Sequence, residues 1–159
     1  RLIELAAQHD LAIVEDDPYG ELCYEGERST PLAALDIAMH GELRHVVYLG
    51  TLSKLLAPGM RVGWIAAPAA IFDRLVMLKQ GMDLHTGSAA QTVAYYACRD
   101  GLVERHIPRL RAVYGERRDT MLATLERTMP AGVRWTRPAG GMFLWLTLPA
   151  GQNAQALLG

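Results

Sequence analysis

The segment YLGTLSKLLAPGMRVGW, residues 48–64, combines groups that could do chemistry together. Lys54 directly follows an apolar, strand-like run, and Arg61 comes seven positions later, after a Pro-Gly turn. A lysine amine at a strand end among leucines is partly desolvated, and desolvation favours the neutral form that acts as a nucleophile. The planar, two-pronged guanidinium of Arg61 suits a phosphate group. Thr51 and Ser53 add two hydroxyls beside the lysine.

A second polar cluster, EDDPY at residues 15–19, follows the apolar run LAIV. Carboxylates at the C-terminal end of a buried strand lie at the edge where open α/β sheets hold their ligands. One of them could pair with a protonated ring nitrogen, and Tyr19 could donate to a ring oxygen. Each cluster taken alone also has a plainer interpretation, because Asp-Pro sequences start turns and most lysines at a strand-to-helix turn are surface groups.

Together the two clusters contain the contacts that pyridoxal phosphate requires: an amine for an imine bond, a carboxylate for the pyridinium nitrogen, and a clamp for the phosphate.

The 159 residues are half hydrophobic and 21% charged, with a net charge of -1. This near-neutral balance gives no reason to expect nucleic acid or an anionic membrane as a partner. No run approaches the roughly 18 apolar residues of a membrane span.

The two cysteines, Cys23 and Cys98, lie far apart, and neither they nor the histidines have metal-ligand spacing. We therefore predict no metal site. Cysteines without a disulfide pattern also favour a reduced, cytoplasmic setting.

The elements that would position the two clusters follow an α/β rhythm. RLIELAAQHD predicts an amphipathic helix with Leu2, Leu5 and Ala6 on one face. LAIVEDD, LRHVVYLG and RVGWIAAP predict three strands that long crossover connections join into one sheet. Two further helices follow, and the second is predicted to be N-capped by Ser88 and to end just before Gly101.

The chain divides into three predicted parts. Residues 1–107 form part of a large α/β domain, and residues 108–129 form one long helix with Pro108 in its first turn. About 22 helical residues span roughly 33 Å, which is long enough to bridge two domains. Residues 130–159 alternate like a β-hairpin or meander around a Gly-Gly pair and open a second, smaller α+β domain.

Four segments of the chain resemble those of a known family: VEDDPY, GTLSKLLAPGMRVGW, HIPRLRAVYGERRDTML and RPAGGMFLWLTLP. They are similar, in the same order, to segments of fold-type I aminotransferases of class I and II, in the branch with 2-aminoadipate and kynurenine aminotransferases. The same segments occur in the aminotransferase-like halves of MocR-type transcription regulators. The resemblance implies an α/β fold-type I transferase, present here as part of the large domain, with a mostly parallel sheet, and the start of the small domain.

The resemblance also implies a role for each matching residue. Lys54 would form the imine with pyridoxal phosphate and later move a proton between the substrate Cα and the cofactor. Asp16 would keep the pyridine nitrogen protonated; the family spacing Asp-x-x-Tyr selects it over Asp17 and makes Tyr19 the donor to the ring oxygen O3′. The phosphate would be bound by three residues: Thr51, where serine is usual, Ser53 and Arg61.

The implied reaction transfers an amino group from an amino acid to a 2-oxo acid, in a homodimer with active sites between its subunits. Two alternatives stay open: the ligand-sensing domain of a MocR/GntR-type regulator, and a lyase or decarboxylase of the same fold. The segment PAGGMF would line the substrate entrance or form a plain β-turn.

Family members also use an upstream Gly/Ser phosphate loop, a stacking aromatic, an Asn near O3′ and a downstream Arg for the substrate carboxylate. None of these is found here, so we expect an internal fragment that, on its own, binds the cofactor poorly and exposes apolar surface.

Overall fold

The computed structural model describes residues 1–157, which form a three-stranded mixed sheet, five α-helices and a small two-stranded sheet. The α/β class predicted from the sequence is confirmed. Single turns of 3-10 helix lie at Pro58–Met60 and Ala154–Leu157. In chain order the main elements are α1 (Leu2–Gln8), β1 (Ile13–Asp16), α2 (Leu32–His40), β2 (Val46–Thr51), β3 (Gly63–Ala66), α3 (Ala69–Asp83), α4 (Ser88–Arg99), α5 (Leu102–Thr128), β4 (Arg134–Trp135) and β5 (Leu146–Thr147).

The larger sheet has the strand order β1-β2-β3. β1 and β2 run parallel, with Asp16 opposite Leu49, as the crossover prediction requires. β3 runs antiparallel to β2, with Thr51 opposite Gly63, so the expectation of a crossover between these two strands was wrong. Only residues 52–62 connect them, whereas a parallel crossover needs a dozen or more residues.

One buried cluster packs α1 and α2 against the sheet through Ile3, Ala33 and Val46. Within α1 the buried side chains are Ile3 and Ala6. Leu2 and Leu5, which share the predicted apolar face with Ala6, are 61% and 39% exposed. Positions three apart lie on one helix face, and the helix meets the sheet through the face that carries Ile3 rather than the face that carries the leucines.

The helix α2 was not predicted, because its sequence follows a polar stretch without a clear helical start. Its first turn is held by Glu15 of β1, whose carboxylate accepts the main-chain N–H groups of Leu32 and Ala33 at 2.8 and 2.9 Å. These N–H groups have no partner inside the helix, and a carboxylate also complements the positive helix N-terminus. A distant acid thus supplies the cap.

The carboxylate of Asp36 closes the turn from α2 into β2. Asp36 is fully buried, and its oxygens accept the main-chain N–H groups of Arg44, His45 and Val46 at 2.8, 2.8 and 3.0 Å. The ring Nδ1 of His40 lies 2.9 Å from the same carboxylate. Burial raises the pKa of Asp36, but the N–H groups of His45 and Arg44, the His40 ring and the Val46 N–H outweigh burial and lower the pKa to about 2.

A second buried cluster joins the segment after β2 to α4 and α5. It consists of Leu52, Ala94, Ala97 and Val103. The left-handed φ of 68° at Gly101 separates the two helices, as predicted. The predicted cap was wrong, because Ser88 is the first helical residue and Gly87 is the N-cap.

The long helix α5 begins at Leu102, six residues before the predicted start. Pro108 therefore lies in its second turn, where the carbonyl of Glu104 lacks the usual main-chain donor. Residues 102–107 are helical because the left-handed Gly101 stops α4 and lets a new helix start at once. The division into domains near residue 108 stays a prediction.

Much apolar surface is exposed on the larger sheet and on α3. Val14 of β1, Ile65 of β3 and Phe72 of α3 are 64%, 50% and 53% exposed. β1 and β3 are the outer strands of the sheet, so each has an open edge within residues 1–157. This agrees with the expected exposure of apolar surface. No helix in the described range is long and apolar enough to cross a membrane.

Candidate active site

The sheet brings the two predicted polar clusters to one edge. Asp16 is the last residue of β1, Thr51 is the last residue of β2, and Gly63 begins the antiparallel β3 beside it. The segment that carries Lys54 leaves this edge directly after β2. The C-terminal edge of the parallel pair is where an open α/β sheet holds ligands, and all the predicted site residues come from segments that meet there.

The Lys54 segment is a tight turn with an apolar anchor. The carbonyl of Leu52 accepts main-chain N–H bonds from Leu56 at 2.8 Å and Ala57 at 3.2 Å. Leu52 is buried against α4 and α5, with Leu55 and Leu56 packed on the same cluster. The leucines that flank Lys54 therefore fix its main chain to the helices.

The amine of Lys54 lies close to Tyr19. The Nζ atom is 5.9 Å from the centroid of the Tyr19 ring, and within residues 1–157 it makes no hydrogen bond or ion pair. The chain contains a second lysine, Lys79, which pairs instead with Asp83 one turn later on α3. Lys54 is thus the lysine with an amine available at the sheet edge.

The hydroxyls of Thr51 and Ser53 lie next to each other. Thr51 Oγ1 is 2.9 Å from Ser53 Oγ and 3.1 Å from the carbonyl oxygen of Val62, and it accepts the main-chain N–H of Ser53 at 3.1 Å. The bond to Val62 ties the end of β2 to the start of β3. The hydroxyl pair is therefore fixed to Val62, the residue that follows Arg61.

Arg61 has a left-handed main chain with a φ of 55°. One terminal nitrogen donates to the carbonyl of Pro58 at 3.2 Å. Arg61 also lines a groove of about 660 Å³ between β3 and α3, together with Trp64 and Phe72. Lys54 does not line this groove.

The structure distinguishes the two neighbouring acids. Asp16 is exposed, and within the described range its carboxylate has no hydrogen-bond or ion-pair partner. The carboxylate of Asp17 is engaged by Gly20, Arg28 and Tyr48. Within residues 1–157 the carboxylate of Asp16 is therefore free and that of Asp17 is not, and the choice of Asp16 as the cofactor residue stays a prediction.

The segment PAGGMF reaches the same region. The rings of Phe143 and Tyr19 meet edge to face with their centroids 5.6 Å apart. Gly140 forms a β-bridge with Cys23, and the N–H of Gly141 donates to the carbonyl of Leu22 at 2.8 Å. The segment is thus paired with the chain that follows Tyr19 rather than being an isolated turn.

A substitution at Gly140 tests this pairing. A Cβ there would overlap the carbonyl oxygen of Leu22 and lie 2.9 Å from the Cα of Cys23, both of them main-chain atoms that cannot rotate away. We expect Gly140→Ala to lower the free energy of unfolding by about 1–3 kcal/mol, the usual cost of overpacking, measured by urea denaturation. Gly59→Ala is the control, because nothing lies within 4 Å of its Cβ position. Equal stability of the two variants would contradict the pairing.

Sequence reasoning missed the charged groups behind Tyr19. Glu21 and Arg28 lie in a polar stretch without periodicity, and Arg111 is 90 residues away from Glu21 on α5. The Asp-x-x-Tyr spacing that selected Tyr19 does not predict these three charged residues. His85 is exposed, and its Nδ1 lies 2.8 Å from the carbonyl oxygen of Thr86.

A family model, aminotransferase class I and II, matches residues 1–158. The chain belongs to this family. Among curated aminotransferases, it is 49% identical over 158 residues to aromatic-amino-acid aminotransferase 1 of Thermococcus litoralis, a match that covers 99% of the chain and 37% of the relative. It is also 34% identical over 146 residues to YisV, an uncharacterized HTH-type transcriptional regulator of Bacillus subtilis, covering 92% of the chain and 29% of the relative.

Solved aminotransferase structures have the same fold. The kynurenine aminotransferase of Pyrococcus horikoshii, in complex with PMP, has a TM-score of 0.91 and 47% identity, covering 99% of the chain and 38% of that structure. LysN, the alpha-aminoadipate aminotransferase of Thermus thermophilus, has a TM-score of 0.90 and 41% identity, covering 99% and 40%. The predicted fold-type I architecture is confirmed, and the chain spans about two fifths of these aminotransferases.

Proposed function

We propose that this chain is part of a pyridoxal-phosphate-dependent aminotransferase that moves an amino group from an amino acid to a 2-oxo acid. The observation that carries the proposal is the Lys54 amine, 5.9 Å from the Tyr19 ring centroid at the ligand-binding edge of an aminotransferase fold. The relatives support the chemistry, since one solved structure contains PMP and another an N-(5′-phosphopyridoxyl)-L-leucine adduct.

The chemistry of the available groups fits this cofactor. The amine of Lys54, which has no partner within residues 1–157, suits the aldehyde, and the exposed carboxylate of Asp16 suits the ring nitrogen. The hydroxyl of Tyr19 makes no hydrogen bond within residues 1–157 and suits the ring oxygen. The paired hydroxyls of Thr51 and Ser53, with the guanidinium of Arg61, suit a phosphate. Each polar part of the cofactor thus has a matching group.

When bound, pyridoxal phosphate supplies an aldehyde that captures amines and a ring that withdraws electrons from the substrate Cα. In the proposed mechanism, Lys54 would hold the cofactor through Nζ and would be released when the substrate amine takes its place. The freed Nζ would then act as the acid–base group that takes up and returns the proton of the substrate Cα. Asp16 keeps a proton on the ring nitrogen by opposite charge, and Tyr19 donates to the ring oxygen.

The proposed setting is a cytoplasmic homodimer that acts in amino acid metabolism. Cys23 and Cys98 are both free in the structure, which suits a reducing compartment. The exposed apolar surface of the sheet and α3 suits burial against further protein.

The test is spectroscopic and uses the full-length protein. We expect a visible absorbance band after addition of pyridoxal phosphate, loss of the band with a reactive amino acid, and its return with a 2-oxo acid. The new 2-oxo acid is assayed at the same time. A lyase or decarboxylase of the same fold would give other products and leave the cofactor in its aldehyde form. Absence of any cofactor band would refute the proposed function.

A second candidate is a ligand-sensing regulator, supported by the 34% identity to the HTH-type regulator YisV. The same residues would then bind the cofactor, and ligand binding at this site would regulate a DNA-binding domain. The encoding gene discriminates the two: a helix-turn-helix segment and linker before Arg1 favours the regulator, and a short arm leading into the cofactor domain favours the enzyme.

A further inference from the structure

Asp17 makes an unusually complete set of contacts for a residue that the proposed chemistry does not use. Its side chain is 19% exposed. Its Oδ1 accepts the N–H of Gly20 at 2.7 Å, and its Oδ2 accepts bonds from Arg28 Nη2 at 3.0 Å and the Tyr48 hydroxyl at 3.1 Å. The Asp17 N–H donates to the carbonyl of Leu49 at 3.1 Å and extends the β1–β2 pairing by one residue.

These contacts close a four-residue turn around Tyr19. The bond from Gly20 back to the Asp17 carboxylate encloses Pro18 and Tyr19, and an Asp side chain that bonds its own downstream main chain stabilises such turns. A Cβ at Gly20 would overlap that carboxylate, so the close approach requires glycine. The direction of the Tyr19 side chain therefore depends on the Asp17 carboxylate.

The turn is also connected to the long helix α5 by alternating charges. Arg28 pairs with both Asp17 and Glu21. Arg111 of α5 then donates to the main-chain carbonyl of Glu21 at 2.7 Å and to its carboxylate at 3.2 Å. Burial and the Asp17 charge raise the pKa of Tyr48, which keeps its hydroxyl protonated as a donor.

We propose that Asp17 is a positioning residue that holds Tyr19 beside the Lys54 amine and links this turn, through Arg28 and Glu21, to α5. Asp17 acts through Tyr19 and does not itself contact substrate or cofactor. This inference rests on the proposed function for its catalytic consequence. The structural part, that Asp17 closes the turn, stands on the hydrogen bonds alone.

The test compares Asp17→Ala, Asp17→Asn, Tyr19→Phe and the Asp17→Ala/Tyr19→Phe double variant in the full-length protein. We expect Asp17→Ala to lower kcat about 10–100-fold, the cost of a misplaced catalytic group, with a smaller change in KM. Asp17→Asn keeps an acceptor for Gly20 and is expected to retain more activity. Asp73→Ala, an exposed acid on α3, is the control and leaves kcat unchanged.

The readout that separates positioning from general damage is the pH titration of the cofactor absorbance band. Asp17→Ala shifts this titration in the same direction as Tyr19→Phe, and the double variant shows no further shift, because both changes remove one function. The inference would be overturned if the titration shifts of the two single variants add up in the double variant. It would also be overturned if Tyr19→Phe shifts the titration and Asp17→Ala does not.

A cofactor-free measurement keeps this test distinct from the test of the function. The Gly20 amide exchanges its hydrogen faster in Asp17→Ala than in the unmodified protein, whether or not cofactor binds. A protein that forms no cofactor band contradicts the proposed function, whereas unchanged Gly20 exchange contradicts the role of Asp17.

Discussion

Full-length protein carrying Lys54→Ala shows no covalent cofactor band and loses transamination by at least about 10⁴-fold, the upper range for one acid–base group. The expected effect is this large because, in the proposed mechanism, the same Nζ holds the cofactor and carries the proton of the substrate Cα. No other described residue places an amine at this sheet edge. Absorbance spectra and single-turnover kinetics measure the two losses separately.

Lys79→Ala is the matched control, since Lys79 is the other lysine of the chain and pairs with Asp83 on α3. Its spectrum and kcat stay unchanged. Reduction with borohydride followed by peptide mapping adds a direct check, with the label expected on Lys54 and not on Lys79. A cofactor band that survives in Lys54→Ala would end the proposed mechanism.

Replacement of Asp36 by alanine lowers the free energy of unfolding by about 3–5 kcal/mol, as for removal of one partner from a buried charged network. The substitution leaves the N–H groups of Arg44, His45 and Val46 without this acceptor, and that of Val46 is fully buried. Asp36→Asn keeps the volume and one acceptor oxygen, so its loss is smaller. Urea denaturation measures both, with Asp73→Ala as the exposed control. A loss below about 1 kcal/mol for Asp36→Ala would show that water replaces the carboxylate.

The same carboxylate makes stability depend on pH in a defined window. Its pKa is about 2 in the folded chain, against an ordinary value of 3.8. A lowered folded-state pKa means that the contribution is complete above pH 3.8 and disappears as pH falls to about 2. Asp36→Asn removes the titrating group. The difference in the free energy of unfolding between the unmodified protein and this variant therefore becomes smaller as the pH falls through that window.

Local motifs were predictable from the sequence because their meaning lies in residue type and short spacing. Asp16 and Tyr19 are three positions apart, and Lys54 and Arg61 are seven apart. Each pair follows an apolar run that becomes a strand, so the sheet brings both to one edge. The sequence could not predict the direction of β3, because that depends on how residues 52–62 turn back along β2. It also missed α2, whose cap Glu15 lies on β1.

The chain alone therefore determined the α/β class, the family resemblance and the set of groups that suit the cofactor. Only the tertiary structure decided that Asp17 is engaged while Asp16 is available, and that Arg28 and Glu21 connect the Tyr19 turn to Arg111. The physical reason is distance along the sequence, because strand periodicity and turn chemistry depend on residues only a few positions apart. Hydrogen bonds among buried and half-buried charges depend on side chains up to 90 positions apart, which folding alone brings together.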